Sequence, residues 1–393
     1  MPEAHLAPPS AQADQAPARP TLGEILRQYG PAYRAKYAPR LSPDELQVMD
    51  RLERCRTGAL GHAVYRCAAC GTAQVVPQSC GNRHCPQCQG HKARQWLDKQ
   101  LAKLLPCAYF LLTFTVPQEL RRFIRAHPRE CYHALFAAAA ATLRELATNP
   151  KYLGSDNLGF TGVLHTWGRT LCYHPHLHFI VPGGALSADG EEWLPSRVDF
   201  FVPVKAASAI YRAKFLALMA EAGLLDQVRQ VLGDQDWVVH SKAVGDGRRA
   251  LRYLAPYVYR VALSNRRLVK CEPGPDGLGR VTFTYRQSGS KRWRSMTVTA
   301  TEFIRRFLQH VLPRGFQKVR HFGFAHPRHK TDLERLQMLV TVTLNLVYVL
   351  VVAPTPVPVP HRPRCPHCGA ELLFMGFVPT SASEGRFEST DTS

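Results

Sequence analysis

Two closely spaced cysteine pairs constrain this chain more than any other feature. They are Cys67-x2-Cys70 and Cys85-x2-Cys88, with fourteen residues between them. Each Cys-x2-Cys puts two thiolates on one tight turn, and two such turns close a tetrahedral zinc site. Gly71 and Pro86 suit those turns. A disulfide scaffold does not fit the twelve cysteines: the chain has 393 residues, opens MPEAHLAPPS rather than with a charged-then-apolar leader, and clusters its thiols in pairs. Reduced, metal-binding cysteines in a cytoplasmic protein are expected. Cys55, His62, Cys80 and His84 are left over in the same block and are candidates for a second zinc. Cys365-x2-Cys368 is a lone pair, which needs further ligands such as His361 or His367 to hold zinc and is otherwise a loose terminal pair.

Charge narrows the partner. Lys plus Arg number 50 against 30 Asp plus Glu, a net charge of +20. That balance favours a polyanion, most often nucleic acid, and disfavours an enzyme of small acidic metabolites. A merely basic surface is the plain alternative. Arg54, Arg56, Arg66, Arg83, Lys92 and Arg94 surround the cysteines and make their block a candidate grip for DNA. The apolar run Leu336–Ala353 is interrupted by Gln337, Asn345 and threonines and is followed by Pro354. It reads as a buried helix or strand pair rather than a membrane span.

Five segments follow from composition and pattern. Residues 1–20 and 379–393 read as disordered ends, 21–100 as a zinc-binding DNA-binding domain and 105–325 as a domain of alternating strand-like and helix-like segments, catalytic if the resemblance described below holds. Residues 326–378 hold a Pro-rich linker, PTPVPVPHRP, and the last Cys-x2-Cys. Within the middle, strands are predicted at Tyr109–Val116, Gly159–Trp167 and Cys172–Val181, helices at Pro128–Thr148 and Ala206–Leu225, and a hairpin at Arg280–Gln287 with Arg292–Ala300. Thr301 is expected to cap a helix running through Leu312. The mixture indicates an α+β fold on an antiparallel sheet.

Two motifs carry chemistry. YHPHLHFIVPGG places His176 and His178 on one face of a strand, while Leu177, Phe179 and Val181 point into a core. Two neutral imidazoles on a rigid strand are two legs of a divalent-metal site, in a metal enzyme or a structural centre. His174 shares their parity, and His165 on the preceding strand is a possible neighbour; the spacing does not assign the third ligand. RYLAPYVYRVALSN puts Tyr253 and Tyr257 one helical turn apart. A phenol is a poor nucleophile at neutral pH, and a nearby metal with Arg252 and Arg260 would favour attack on a phosphate. Aromatic packing in an amphipathic helix is the competing reading, and Tyr259, off that face, fits it. Pro256 is tolerated without a kink only if the helix starts near Tyr253.

His-x-His followed by Tyr-x3-Tyr, with a cysteine block upstream, resembles the HUH-type rolling-circle transposases of the insertion sequence 91 family. SCGNRHCPQCQ, LLTFTVP, GVLHTWGRTLCYHPHLHFIVPGG, YLAPYVYRVALSNRRL and FIRRFLQHVLPRGFQKVRHFGF carry the resemblance over roughly residues 25–325. It implies an HUH endonuclease-like antiparallel sheet with flanking helices behind a small zinc-binding domain. It implies that His176 and His178 hold Mg2+ or Mn2+, and that Tyr253 cuts one strand and keeps the 5′ phosphate while Tyr257 resolves or transfers it. Single-stranded or hairpin DNA is the implied substrate. No Walker-type motif occurs, and a phosphotyrosine conserves the bond energy, so no nucleotide cofactor is expected. Candidate DNA contacts are Arg252, Arg260, Arg266 and Arg267, with Arg292, Trp293, Arg314, Lys318, Arg320, His321 and Phe322 as weaker ones. A plasmid or phage replication initiator shares this chemistry. A non-catalytic zinc-dependent regulator and a small-molecule metallohydrolase are rivals of other classes.

Overall fold

The computed structural model describes residues 19–380 apart from 234, 236, 260–261, 276, 288–289, 291, 329–332 and 347–362. The expected disordered end at 1–18, the tail from 381, the Pro-rich linker up to 362, His361 and Arg260 lie outside the described residues. The helices are α1 (Leu22–Tyr37), α2 (Pro43–Glu53), α3 (Gly90–Leu101), α4 (Leu120–Ala126), α5 (Pro128–Thr148), α6 (Val204–Glu221), α7 (Leu225–Val231), α8 (Arg248–Tyr259), α9 (Ala300–Leu308) and α10 (Leu333–Thr343). The strands are β1 (His62–Cys67), β2 (Ala73–Pro77), β3 (Tyr109–Thr115), β4 (Gly159–Trp167), β5 (Tyr173–Pro182), β6 (Gly184–Leu186), β7 (Trp193–Pro195), β8 (Val239–Ala243), β9 (Leu268–Pro273), β10 (Gly279–Arg286), β11 (Trp293–Thr299), β12 (Val319–Gly323) and β13 (Leu372–Val378).

A five-stranded sheet in the order β12-β4-β5-β3-β8 is the frame, and each neighbouring pair is antiparallel. The fold is α+β, as the alternating patterns predict. Period-two alternation decides what each face does. Phe110, Leu112, Phe114, Phe160, Leu164, Leu177, Phe179 and Val181 form one face, fully buried beneath the alanine-rich α5 and Tyr211 and Phe215 of α6. The small alanines let the helix approach closely, and Phe114 and Phe136 meet Phe179 edge-on. Gly162 lies under those rings: an added Cβ would stand 2.6 Å from Phe179.

Val163 and Ile180 belong to the opposite face, where α8 and Trp96 of α3 cover them. The same parity puts His165, His176 and His178 on that face. Leu251, Leu254, Ala255 and Val258 are the buried stripe of α8, so Tyr253 and Tyr257 flank the stripe that docks on the histidine face. Helix α8 begins at Arg248, five residues earlier than an unkinked Pro256 would require. Pro256 therefore sits inside it, and the Arg252 carbonyl loses its usual N–H partner.

A second core joins α1, α2 and α9 to the sheet β11-β10-β9. Capping boxes at Thr21–Glu24 and Ser42–Glu45 start α1 and α2. Helix α9 is capped by Thr299 rather than Thr301 and ends at Leu308; the Thr299 hydroxyl accepts the Glu302 N–H, which the strand end at Thr299 places within reach. In the apolar run, α10 buries Leu336 and Val340, and residues 347–353 lie outside the described residues. Among the described residues, no helix is long and apolar enough to cross a membrane.

His310, just after α9, is fully buried between the cores. Its Nε2–H donates to the Leu171 carbonyl, which leaves Nδ1 to accept from the Thr166 hydroxyl. This neutral form is held because burial lowers its pKa to about 3. An unfolded histidine titrates near 6.5, so between about pH 6.5 and 3 the unfolded chain binds a proton that the folded chain does not. Stability contributed here is intact above pH 6.5 and falls as pH drops through that window. Between pH 6 and 4.5 the wild type is expected to lose about 1–2 kcal/mol more than His310→Gln. Denaturant titrations at both pH values check this; parallel losses would refute it.

Candidate active site and thiol centres

Strand register builds the histidine cluster. His165 lies opposite His176, and Val163 opposite His178, across the β4–β5 pair. The three rings lie edge to face, with centroids 5.4 Å apart for His165–His176, 4.6 Å for His165–His178 and 4.9 Å for His176–His178. One ligand nitrogen from each falls within 4.8 Å of the others. His165 thus joins the pair in a group of three that could hold a metal ion, while His174 lies against His176 outside this group.

Hydrogen bonding fixes how these rings point. His176 Nδ1–H donates to the His174 carbonyl at 2.7 Å, which leaves its Nε2 lone pair available. His178 Nδ1 shares a hydrogen bond with the Thr113 hydroxyl at 2.9 Å. His165 Nε2 is buried with no hydrogen-bond partner. Burial lowers the pKa of all three, to about 3 for His176 and about 4 for His178, so the rings are neutral near pH 7. An orphaned buried nitrogen beside two oriented imidazoles fits a divalent cation.

Both tyrosines reach this cluster. The Tyr257 ring lies 5.4 Å from His165, Tyr253 lies 6.4 Å from His178, and the two phenols are 5.7 Å apart. Tyr253 is 53% exposed, so its phenol is accessible from outside. Burial raises the Tyr253 phenol above its ordinary pKa, Tyr257 adds to that, and Arg169 opposes it. Trp167 stacks on His165 at 4.7 Å and touches Tyr257. Residues two apart on a strand share a face, so His165 and Trp167 project together, and the register shift opposite them falls on β5.

The cations divide by burial. Arg252 and Arg266 are exposed. Arg267 is half-buried and donates to the carbonyls of Thr284, Ala262 and Arg169, which makes it a strut between these segments. Lys318 is buried: its ammonium donates to the Tyr257 carbonyl at 2.5 Å and lies 4.6 Å over Trp167. It braces the end of α8, where a surface contact was expected. Arg121 and Arg169, which sequence reasoning did not single out, are near enough for their charge to act on His176 and Tyr253. Their distance in sequence hides them, and only strand parity pointed at Trp167.

The cysteines regroup. Cys55, Cys80, Cys85 and Cys88 form one set and Cys67, Cys70, Cys365 and Cys368 another. The expected site of Cys67, Cys70, Cys85 and Cys88 does not form. Cys67 and Cys70 lie at the tip of the β1–β2 hairpin, whose arms are on the order of 16 Å long, while Cys55, Cys80, Cys85 and Cys88 lie at its base. The second set of Cys55, Cys80, His62 and His84 is likewise corrected. His62 belongs to neither thiol group, and His84 accepts the Leu312 N–H at Nε2 while Nδ1 meets Asn82.

Comparison with known proteins gives the family of the chain. Residues 159–332 match the family described as "Putative transposase", and residues 25–116 match the transposase zinc-binding domain of the insertion sequence 91 type. "Putative transposase y4qJ" of Sinorhizobium fredii is 39% identical over 330 residues, 79% of this chain and 81% of that protein. The chain belongs to the insertion sequence 91 family of transposases. "Transposase for insertion sequence element IS801" of Pseudomonas savastanoi pv. phaseolicola is 28% identical over 298 residues, 71% of this chain and 70% of that one. No solved structure matches the chain. The zinc-binding family match spans β1–β2 and both Cys-x2-Cys turns near them, so this transposase carries a zinc-binding domain.

Proposed function

We propose that this transposase cuts and rejoins one strand of DNA at element ends through a 5′-phosphotyrosine, in rolling-circle transposition. One observation carries the reading: a helix bearing two tyrosines one turn apart is docked so that both rings touch a cluster of three neutral imidazoles. Tyr253 is the first nucleophile because its ring is exposed. Its phenolic oxygen forms a bond to the scissile phosphorus, the P–O3′ bond breaks, and the leaving oxygen takes a proton to become the 3′ hydroxyl. Tyr257 repeats the exchange on the second strand end. Lys318 and Trp167 hold the Tyr257 turn in place, and Arg121, Arg169 and Arg252 contact phosphates.

His165, His176 and His178 would hold the catalytic cation, which polarises the phosphate and favours the phenolate when bound. Three imidazoles without a carboxylate suit Mn2+ better than Mg2+, which prefers hard oxygen ligands. Single-stranded DNA, or the single-stranded part of a hairpin, fits a site that must admit one extended strand. A labelled single-stranded oligonucleotide carrying an element end tests the reading. With Mn2+, a covalent complex that survives denaturation is expected; its absence on every element end would favour a non-catalytic DNA-binding role.

The zinc-binding domain holds its structural zinc on Cys55, Cys80, Cys85 and Cys88, whose sulfurs lie 3.4–3.7 Å apart in three contacts. Cys55 and Cys85 are part of the core shared with α1, α2, α9 and β9–β11. Cys80→Ser is therefore expected to cost more than about 4 kcal/mol of stability, the scale of losing a structural metal. An unchanged thermal midpoint and zinc content would contradict that assignment.

A further inference from the structure

We propose that Cys67, Cys70, Cys365 and Cys368 form a second zinc centre that fastens the C-terminal strand to the N-terminal hairpin. Cys67 and Cys70 lie within the matched zinc-binding segment, residues 25–116, whereas Cys365 and Cys368 lie far beyond it, and the centre does not rest on the DNA-cutting reading.

The two turns are copies of one another. Cys67-Ala-Ala-Cys70-Gly71 follows β1, and Cys365-Pro-His-Cys368-Gly369 precedes β13. In each, the glycine N–H donates to the first cysteine carbonyl, at 3.0 Å for Gly71 and 2.9 Å for Gly369. In each, the first cysteine N–H bonds the carbonyl five residues on, Thr72 or Ala370. Both glycines are left-handed, with φ of 71° and 75°, a conformation that costs other residues. Such a turn aims two sulfurs at one point.

The sulfur spacing is that of a metal centre and not of a disulfide. The sulfurs of Cys67 and Cys368 are 3.4 Å apart, those of Cys70 and Cys368 3.5 Å, and those of Cys70 and Cys365 3.7 Å. A disulfide would bring one pair to about 2.05 Å. Four thiolates about 2.3 Å from one zinc stand roughly 3.8 Å apart. Apolar packing alone gives no reason for Cys70 and Cys368 to be exposed yet aimed inward.

The surrounding sheet also needs such a centre. Strand β13 pairs antiparallel with β1 from His62↔Val378 to Cys67↔Leu372. Its core consists of Cys67, Cys365 and Leu372 with Tyr65 and Ala370 at the margin, while Phe374, Met375 and Phe377 are exposed. A three-stranded sheet with so little burial is marginal without a metal.

Purified full-length protein tests this by zinc analysis, with hydrogen exchange read on residues 372–378. Cys365→Ser/Cys368→Ser is expected to lose one zinc per chain and the protection of β13, while β4 and β5 stay protected. Cys67→Ser/Cys70→Ser should do the same. Zinc content equal to wild type in the C-terminal double variant would overturn the proposal, as would loss from the N-terminal variant alone. Should either variant fail to fold, thiol alkylation of the wild type decides. The four cysteines should resist N-ethylmaleimide together and react together once a chelator is added. Free reaction of exposed Cys70 and Cys368 in the zinc-loaded chain would sink it.

Discussion

Tyr253→Phe is expected to lower formation of the covalent protein–DNA complex by at least about 10³-fold, equivalent to about 4 kcal/mol of barrier. The substitution removes one oxygen and keeps the ring. Because that ring is 53% exposed and flanks the buried stripe of α8, the helix should dock unchanged. Tyr257 does not replace it in place, since it lies one turn on with its ring against Trp167 and His165. Tyr257→Phe should leave the first cut and impair the second exchange, so adduct accumulates and strand transfer falls. Denaturing gels with DNA labelled on either side of the cut measure both steps. An adduct that persists in Tyr253→Phe and disappears in Tyr257→Phe would reverse the two roles. One that survives the double substitution would end the phosphotyrosine mechanism.

Loss of His165 should be as severe for cutting and nearly silent for binding. Its Nε2 is a buried nitrogen without a hydrogen-bond partner, and its ring meets both His176 and His178. His165→Ala, like His176→Ala, is expected to reduce nicking by more than about 10³-fold, because the scissile phosphate then lacks its cation. Affinity for the same oligonucleotide should change by no more than about 0.5 kcal/mol, since phosphate contacts come from arginines elsewhere. His165→Gln fills similar volume without restoring the ligand, so it separates a lost cation from a cavity beside Trp167. Fluorescence anisotropy beside the nicking assay gives the comparison. Equal loss of binding and cutting would make His165 a structural residue. Chelation of the wild type should stop nicking, and added Mn2+ should restore it.

Short-range regularities were readable along the chain. Helix α5 runs over the residues its alanine pattern predicts, Pro128–Thr148, and β4 spans Gly159–Trp167 as its apolar run indicates. His176 and His178 share a face because side chains alternate on any strand. Tyr253 and Tyr257 share one because a helix turns in 3.6 residues. Those periodicities are properties of the local backbone, so sequence suffices for them. Pro256 and Thr301 show the limit: burial of the α8 stripe and the end of β11 set those boundaries, against local preference.

Long-range pairing was not readable. That His165 completes the imidazole group depends on the register between β4 and β5. That Cys67 joins Cys368 rather than Cys85 depends on the length of a hairpin and on a strand some 300 residues away. Lys318 and Arg267 look like surface cations in the sequence and become struts only when carbonyls from other elements surround them. Sequence alone determined the chemistry available: thiols in pairs, imidazoles on a strand, phenols on a helix. The tertiary structure alone decided which of them meet, because register and hairpin reach are set by the packing of distant segments and leave no periodic trace in any one of them.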